Sequence, residues 1–332
     1  MLRRLAALMT ALAAGVSGAA EPVRVEIVGH RGASFDAPEN TVAAIRLAWE
    51  QKADASEFDV YLTKDKKVVV IHDATTKRTA GADLKVADST LEQLRKLDAR
   101  NWKGAKFAGE KLPTLEEMLA TVPDGKRVFI EVKCGPEIVP ELDRVLKAAQ
   151  LKPEQTCVIA FNAEVIAAVK KARPDLQALW LVSLNTKGKP KTAEELVEKA
   201  KTIKADGLDL SATPAVLDEA FGKKVKAAGL KLYVWTVNDV ALAKKMIAAA
   251  AITPRSAPSA CRLLEKPKGL NGVRFAGSNA GAPTSSAGRS NERTSVSPAS
   301  VAASAASIRA LPLPTIAWRG ASQAPRVASV KR

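Results

Sequence analysis

"SEFDVYLTKDKKVVVIH", Ser56 to His72, decides how this chain folds. In a strand, alternate side chains point to opposite faces, so Glu57 and Asp59 share one face of the first run while Phe58 and Val60 share the other. A second apolar run, Lys67 to His72, follows after "TKDKK". That connection is far too short for a helical crossover and reads as a hairpin turn. Two acids on one face of an otherwise apolar strand are costly to bury, so that face must serve some purpose.

Outward from this hairpin, short β-branched runs alternate with helical patterns. Strands are expected over 23–28, 56–62, 67–72, 127–133, 157–161, 177–182, 206–210 and 232–237. Helices with apolar residues at three- and four-residue spacing are expected over 41–51, 114–120, 139–149, 163–172, 193–201 and 215–228. Repeated strand–helix units argue for parallel β with helices outside. Their number favours a closed α/β barrel of the TIM (β/α)₈ type over an open doubly wound sheet. No GxGxxG or P-loop follows any of the strands, which argues against nucleotide binding. Residues 78–112 fit neither strand nor long helix and read as an insertion over the barrel mouth. Within 21–250 the barrel is complete except for its last unit.

The formal charge of +16 suggests a nucleic-acid partner until it is divided along the chain. Residues 1–20 contribute +2 and residues 251–332 contribute +10, which leaves +4 for 21–250. The excess therefore belongs mainly to a tail with scattered Arg and no interleaved aromatics, and nucleic acid is not an expected partner. Residues 1–20 read as a secretory signal peptide: Arg3 and Arg4, an apolar stretch from Leu5 to Val16, then small residues before Glu21 and Pro22. A retained membrane-anchoring helix is the other reading of that segment. The signal-peptide reading implies a periplasmic or secreted protein without stable membrane insertion after cleavage. Residues 251–332, rich in Ser, Ala, Pro, Gly and Arg, read as a low-complexity, largely disordered tail. Cys134, Cys157 and Cys261 are an odd set without metal-binding spacing, and buried thiols are the simpler reading. No oligomeric signal is visible.

In "RVFIEVK", Glu131 and Lys133 share a face, as Glu57 and Asp59 do on the earlier strand. With the apolar sets facing the helices, these side chains project into the barrel near the strand C-termini, where barrel enzymes place their chemistry. Three carboxylates converging there need a counter-charge, and Glu57, Asp59 and Glu131 are an all-oxygen set suited to Ca²⁺ or Mg²⁺ rather than zinc. A purely structural network with Arg31 and Lys133 is the alternative. The chain has only two histidines, and His30 and His72 each end an apolar run beside a charged residue. Imidazole titrates near neutrality and suits proton transfer. Arg31 offers a fork for phosphate and Lys133 a second positive point. Gly29 and Gly32 allow either close approach of backbone to a ligand or simply a tight turn.

"GHRGASFDAPENT", "EFDVYLTKDKKVVVIHD", "FIEVK" and "YVWTVND" together resemble the glycerophosphodiester phosphodiesterases over about residues 24–250. The resemblance implies a TIM barrel in which His30 and His72 are the acid/base pair and Glu57, Asp59 and Glu131 the metal ligands. It implies that Arg31 and Lys133 contact phosphate and that Trp235 lines the pocket near the glycerol moiety. A core Trp is nearly as good a reading of that last residue. Glu39, Asn40 and Thr41 match the family's "PENT", where Asn and Thr also suit a helix start. The expected reaction is metal-dependent hydrolysis of small glycerophosphodiesters to sn-glycerol 3-phosphate and an alcohol. Alternatives are a related barrel phospholipase on intact lipids, which would need more surface aromatics, and a catalytically dead barrel. Three departures stand out. Lys66 replaces a usual turn glycine and Ala160 a frequent serine. After "KKMIAAA" the family's eighth strand is absent, as a frameshift would produce. Without a replacement from 251–332, the sheet edges near Val25 and Val234 would stay open.

Overall fold

The computed structural model describes residues 26–99, 103–184, 190–238, 240–249 and 273–277. The chain divides into Met1–Gly281 and Ala282–Arg332, and every described residue belongs to the first unit. The expected signal peptide, residues 1–20, and most of the expected tail lie outside the described residues.

The strands are β1 (Val28–Gly29), β2 (Ala55–Leu62), β3 (Val68–Val70), β4 (Arg127–Val132), β5 (Thr156–Ala160), β6 (Gln177–Val182), β7 (Gly207–Ser211), β8 (Lys231–Val237) and β9 (Val273–Gly277). The helices are α1 (Val42–Glu50), α2 (Lys77–Ala80), α3 (Leu91–Arg95), α4 (Leu115–Leu119), α5 (Val139–Ala148), α6 (Ala163–Ala172), α7 (Ala193–Thr202), α8 (Glu219–Ala227) and α9 (Val240–Ala249). Seven strands run parallel in the order β1-β2-β4-β5-β6-β7-β8. The remaining two, β3 and β9, pair antiparallel to β2 and β8. The hairpin read from "TKDKK" is therefore present, with Val60 opposite Val70.

One expectation needs correction. Helix α8 begins at Glu219 rather than near 215, because the Asp218 side chain accepts a hydrogen bond from Phe221 N and starts the helix there. Within the tail that was read as largely disordered, Val273–Gly277 forms a strand that pairs with β8. Its Cα atoms also come within 8 Å of β1. An antiparallel strand from the tail thus stands where a (β/α)₈ barrel would carry a parallel eighth strand.

Alternation along the strands builds two apolar layers. Phe58, Val60, Ile130, Val132, Val158, Leu208, Leu210, Leu232 and Val234 face the helices in the main core. Val28, Ala55, Phe129, Cys157, Ile159, Leu179, Leu181 and Tyr233 pack inside the barrel. Cys157 is fully buried in that inner layer, and burial pushes its thiol pKa up, in keeping with a packing role. At the barrel floor, Arg127 donates to both carboxylate oxygens of Glu26 at 3.0 and 2.9 Å, and to Gln177 Oε1 at 2.6 Å. Tyr233 OH donates to Glu26 Oε2 at 3.1 Å. The Tyr233 bond ties β8 to the chain entering β1, and the Arg127 bonds tie β4 to the same Glu26. No helix among the described residues is long and apolar enough to cross a membrane.

Candidate active site

β2 and β4 are neighbours in register, with Asp59 opposite Glu131 and Glu57 opposite Phe129. That pairing places Glu57, Asp59 and Glu131 on the inner face, all buried, with one carboxylate oxygen from each within 4.8 Å of the others. Burial, and then the neighbouring Glu57 charge, push the Asp59 carboxyl up to about 6. Asp59 Oδ1 is buried and accepts no hydrogen bond, although Lys133 Nζ lies 3.6 Å away. An oxygen with that much unused acceptor capacity, in an all-carboxylate cluster, fits a hard divalent cation.

Lys133 follows β4. Its Nζ donates to Glu131 Oε1 at 2.7 Å and lies 3.3 Å from His72 Nε2. Burial opposes the ammonium, but the Glu131 and Asp59 carboxylates outweigh it and raise its pKa. Arg31, at φ 57°, turns sharply after β1. Its backbone N–H donates to Glu57 Oε2 at 2.9 Å, and its Nε lies 3.4 Å from Asp59 Oδ2. The turn is completed by Gly32 at φ 78°, where a Cβ would sit 2.6 Å from Ala44 of α1. The tight-turn reading of this glycine therefore holds, and the turn packs directly against α1.

His30 is the first residue after β1 and is half-buried. His72 reaches the same end of the barrel by a different route. Because β3 runs antiparallel, it carries the chain back along β2, and Ile71 N donates to Asp59 O at 3.0 Å just before His72. The His72 ring is held on both sides, by Asp73 Oδ1 at 2.6 Å from Nδ1 and by Lys133 at Nε2. Burial works against the charged form of Asp73, but hydrogen bonds from Arg78 and His72 prevail and lower its pKa to about 2. A carboxylate so held has no proton to give, so Nδ1 carries the hydrogen. With the hydrogen on Nδ1, Nε2 is the nitrogen that can accept, toward the Lys133 ammonium.

Trp235, half-buried near the end of β8, donates from Nε1 to Asp209 O at 3.1 Å. Its ring meets Phe161 edge-on, with centroids 5.5 Å apart, and Lys133 Nζ lies 5.9 Å from the Phe161 centroid. Trp235 also packs against the inner apolar layer. That contact accords with the core reading of this residue. All eight residues singled out from the sequence lie at or beside the C-terminal ends of β1, β2, β4 and β8, or on the hairpin returning to that end.

Three further residues belong to the site and carried little signal. Asn40, 3% exposed, donates to Asp59 Oδ2 at 2.8 Å and accepts from Asp59 N at 3.1 Å. Glu39 accepts from Arg31 Nη1 at 3.0 Å and from both terminal nitrogens of Arg78. Asp73 was visible only as a neighbour of His72. Thr41 does cap α1 by accepting from Ala44 N, so the helix-start reading of "PENT" holds for Thr41 but not for Asn40.

The profile of the glycerophosphoryl diester phosphodiesterase family matches residues 30–253. This chain belongs to that family. A glycerophosphodiester phosphodiesterase of Caldanaerobacter subterraneus is 35% identical over 229 residues, which is 67% of this chain and 90% of that protein. One from Bacillus subtilis is 32% identical over 238 residues, or 66% of this chain and 79% of that protein. Among solved structures, an Oleispira antarctica phosphodiesterase in complex with the product sn-glycerol-3-phosphate superposes with a TM-score of 0.61 at 28% identity. It is covered over 68% of this chain and 89% of that one. The Thermotoga maritima glycerophosphodiester phosphodiesterase superposes with a TM-score of 0.54, also at 28% identity, over 68% and 91%. The chain is thus a phosphodiester hydrolase whose described residues build seven parallel strands of the barrel.

Proposed function

We propose that this enzyme hydrolyses glycerophosphodiesters to sn-glycerol 3-phosphate and an alcohol, with Glu57, Asp59 and Glu131 holding a divalent cation, Ca²⁺ or Mg²⁺. The observation that carries the reading is three buried carboxylates within 4.8 Å of one another, with Lys133 and the Nε2 of His72 beside them. Such a cation, when bound, supplies Lewis-acid polarisation of a phosphoryl oxygen and neutralises charge at phosphorus.

The remaining work falls to side chains. Lys133 and Arg31 each reach the cluster from a different strand, and they offer the positive charge that an anionic phosphate and its more highly charged transition state require. His72 presents an acceptor at Nε2 and can take a proton there, with Asp73 stabilising the imidazolium that results. His30, the first residue after β1, is the second proton-transfer group and completes the pair needed to activate one oxygen and protonate another. Trp235 and Phe161 form an apolar wall against which a glycerol or head-group carbon can pack.

The direct test is an assay of the purified protein on glycerophosphocholine after exhaustive dialysis against EDTA. Activity should be lost with chelator and return with Ca²⁺ or Mg²⁺, while full activity in EDTA would remove the metal from the reading. His30→Ala and His72→Ala should each reduce turnover by roughly 10²–10⁴-fold with little change in melting temperature. Residues 1–20 support secretion or a periplasmic location, which fractionation of the native host would check.

A further inference from the structure

Arg78 lies in the segment that the sequence presents only as an insertion, yet its guanidinium joins two loops of the site. Nη1 and Nη2 donate to Glu39 Oε2 and Oε1 at 2.9 and 2.7 Å, and Nε donates to Asp73 Oδ2 at 2.6 Å. Glu39 also accepts from Arg31 Nη1, and Asp73 holds His72 Nδ1. One side chain therefore connects Arg31, which follows β1, to His72, which follows the β2–β3 hairpin.

The backbone under Arg78 is fixed. Thr76 N donates to Leu84 O at 3.0 Å, Leu84 N to Thr76 Oγ1 at 3.2 Å and Val86 N to Ala74 O at 3.0 Å. Thr75 and Lys85 form an isolated antiparallel bridge, and α2 ends at Gly81 in the left-handed conformation. A planar fork on a rigid turn can set the orientation of two carboxylates at once, which a lysine cannot do. Three of its five N–H groups are already directed at Glu39 and Asp73, so its role is toward protein rather than phosphate.

We propose that Arg78 is a positioning residue: by locking Asp73 and Glu39 together, it holds His72 in the Nδ1–H tautomer and aims Arg31 at the carboxylate cluster. This rests on the reading of His72 and Arg31 given above. Without Arg78, Asp73 loses one of its two partners and is free to rotate. The His72 ring is then released from one side, and Glu39 is left with a single arginine.

Because the chain contains only two histidines, its imidazole nitrogens can be assigned directly. Long-range ¹H–¹⁵N spectra of the full-length protein, with His72→Ala as the assignment control, should show His72 as the Nδ1–H tautomer. In Arg78→Ala that signal should shift to mixed tautomers, while the His30 signal stays put. Turnover should fall about tenfold to hundredfold, as for loss of a group supporting an active-site ligand, with KM changed less than kcat. Guanidinium ion at low millimolar concentration should restore part of that turnover in Arg78→Ala and none in His72→Ala. Arg78→Lys, which keeps the charge and the fold but not the fork, should show the same tautomer mixing to a smaller degree. An Arg78→Ala or Arg78→Lys protein with the wild-type His72 tautomer and unchanged kcat would overturn the proposal. If His72→Ala itself keeps wild-type turnover, the catalytic reading of His72 falls, while the tautomer spectra still decide whether Arg78 orients the ring.

Discussion

Asn40 and Asp59 exchange two hydrogen bonds: the Asn40 amide nitrogen donates to Asp59 Oδ2, and its oxygen accepts from the Asp59 backbone N–H. The pair occupies one oxygen of Asp59 and leaves Oδ1 for the cluster. Asn40 reaches this position at φ 59°, a left-handed conformation that asparagine tolerates better than most residues. Removing it should disturb the carboxylate without touching any proposed ligand. Asn40→Ala is expected to weaken Ca²⁺ or Mg²⁺ binding by roughly 10–100-fold, as loss of a group supporting a ligand commonly does. Isothermal titration of the metal into the dialysed protein measures this, and an unchanged affinity would count against Asp59 as a ligand.

A second prediction concerns the hairpin turn. Lys66 sits at φ 58°. For an L-residue with a Cβ that conformation costs roughly 1–2 kcal/mol, and glycine avoids the clash while losing some entropy on folding. The glycine usual in this family is thus explained by backbone geometry, which makes the substitution more than a neutral surface change. Lys66→Gly should raise stability by about 1 kcal/mol in urea denaturation and leave turnover unchanged. A decrease in stability would show that the Lys66 side chain contributes something in this turn that outweighs the strain.

The third prediction follows from the raised pKa of Asp59. Its ordinary value of 3.8 rises to about 6 in the folded protein, so the fold binds a proton there more tightly than the unfolded chain does. Its contribution to stability is fully present below about 3.8 and is lost as pH rises through about 6. The metal-free protein should therefore lose stability relative to Asp59→Asn between about pH 4 and pH 6, and a divalent cation should reverse the loss at neutral pH. Thermal melts of both proteins across that range, with and without Ca²⁺, test the sign. A wild-type protein that gains stability relative to Asp59→Asn as pH rises through this window, without metal, would contradict it.

Much of this site was legible because it sits on strands. Period-two alternation in "SEFDVYL" and "RVFIEVK" placed Glu57, Asp59, Glu131 and Lys133 on inner faces, and the β2–β4 register then brought Asp59 opposite Glu131. What stayed hidden depends on partners far apart in sequence and on loops without periodicity. Asn40 and Asp59 are 19 residues apart, and Arg78 and Glu39 are 39 apart. The floor contact between Glu26 and Tyr233 spans 207 residues. The start of α8 depended on one capping side chain, Asp218, four residues after a proline that could equally have opened the helix. The strand that pairs with β8 was hidden for a related reason. "VRFAG" is too short, and too isolated within a Ser- and Pro-rich span, to stand out as a strand until β8 offers it an edge.

That last strand carries the final prediction. Without β9, strand β8 would present unpaired N–H and C=O groups along an apolar edge, a template for pairing with another chain. β9 covers it in an antiparallel register, with Tyr233 opposite Ala276 and Val234 opposite Phe275. A chain ending after Ala249 should therefore melt several degrees lower and aggregate at concentrations the full chain tolerates, as light scattering during thermal unfolding would show. Pro substituted for Ala276, which cannot donate to the ladder, should reproduce part of that effect if its backbone N–H is one of the paired groups. Grafting a parallel strand–helix unit of the family after Ala249 should raise the melting temperature above that of the natural chain, because it would pair with both β8 and β1. If the truncated chain instead unfolds cooperatively at the same temperature and stays soluble, then β9 does not protect the edge. The floor bonds from Glu26 to Arg127 and Tyr233 would then be sufficient to hold β1 and β8 together.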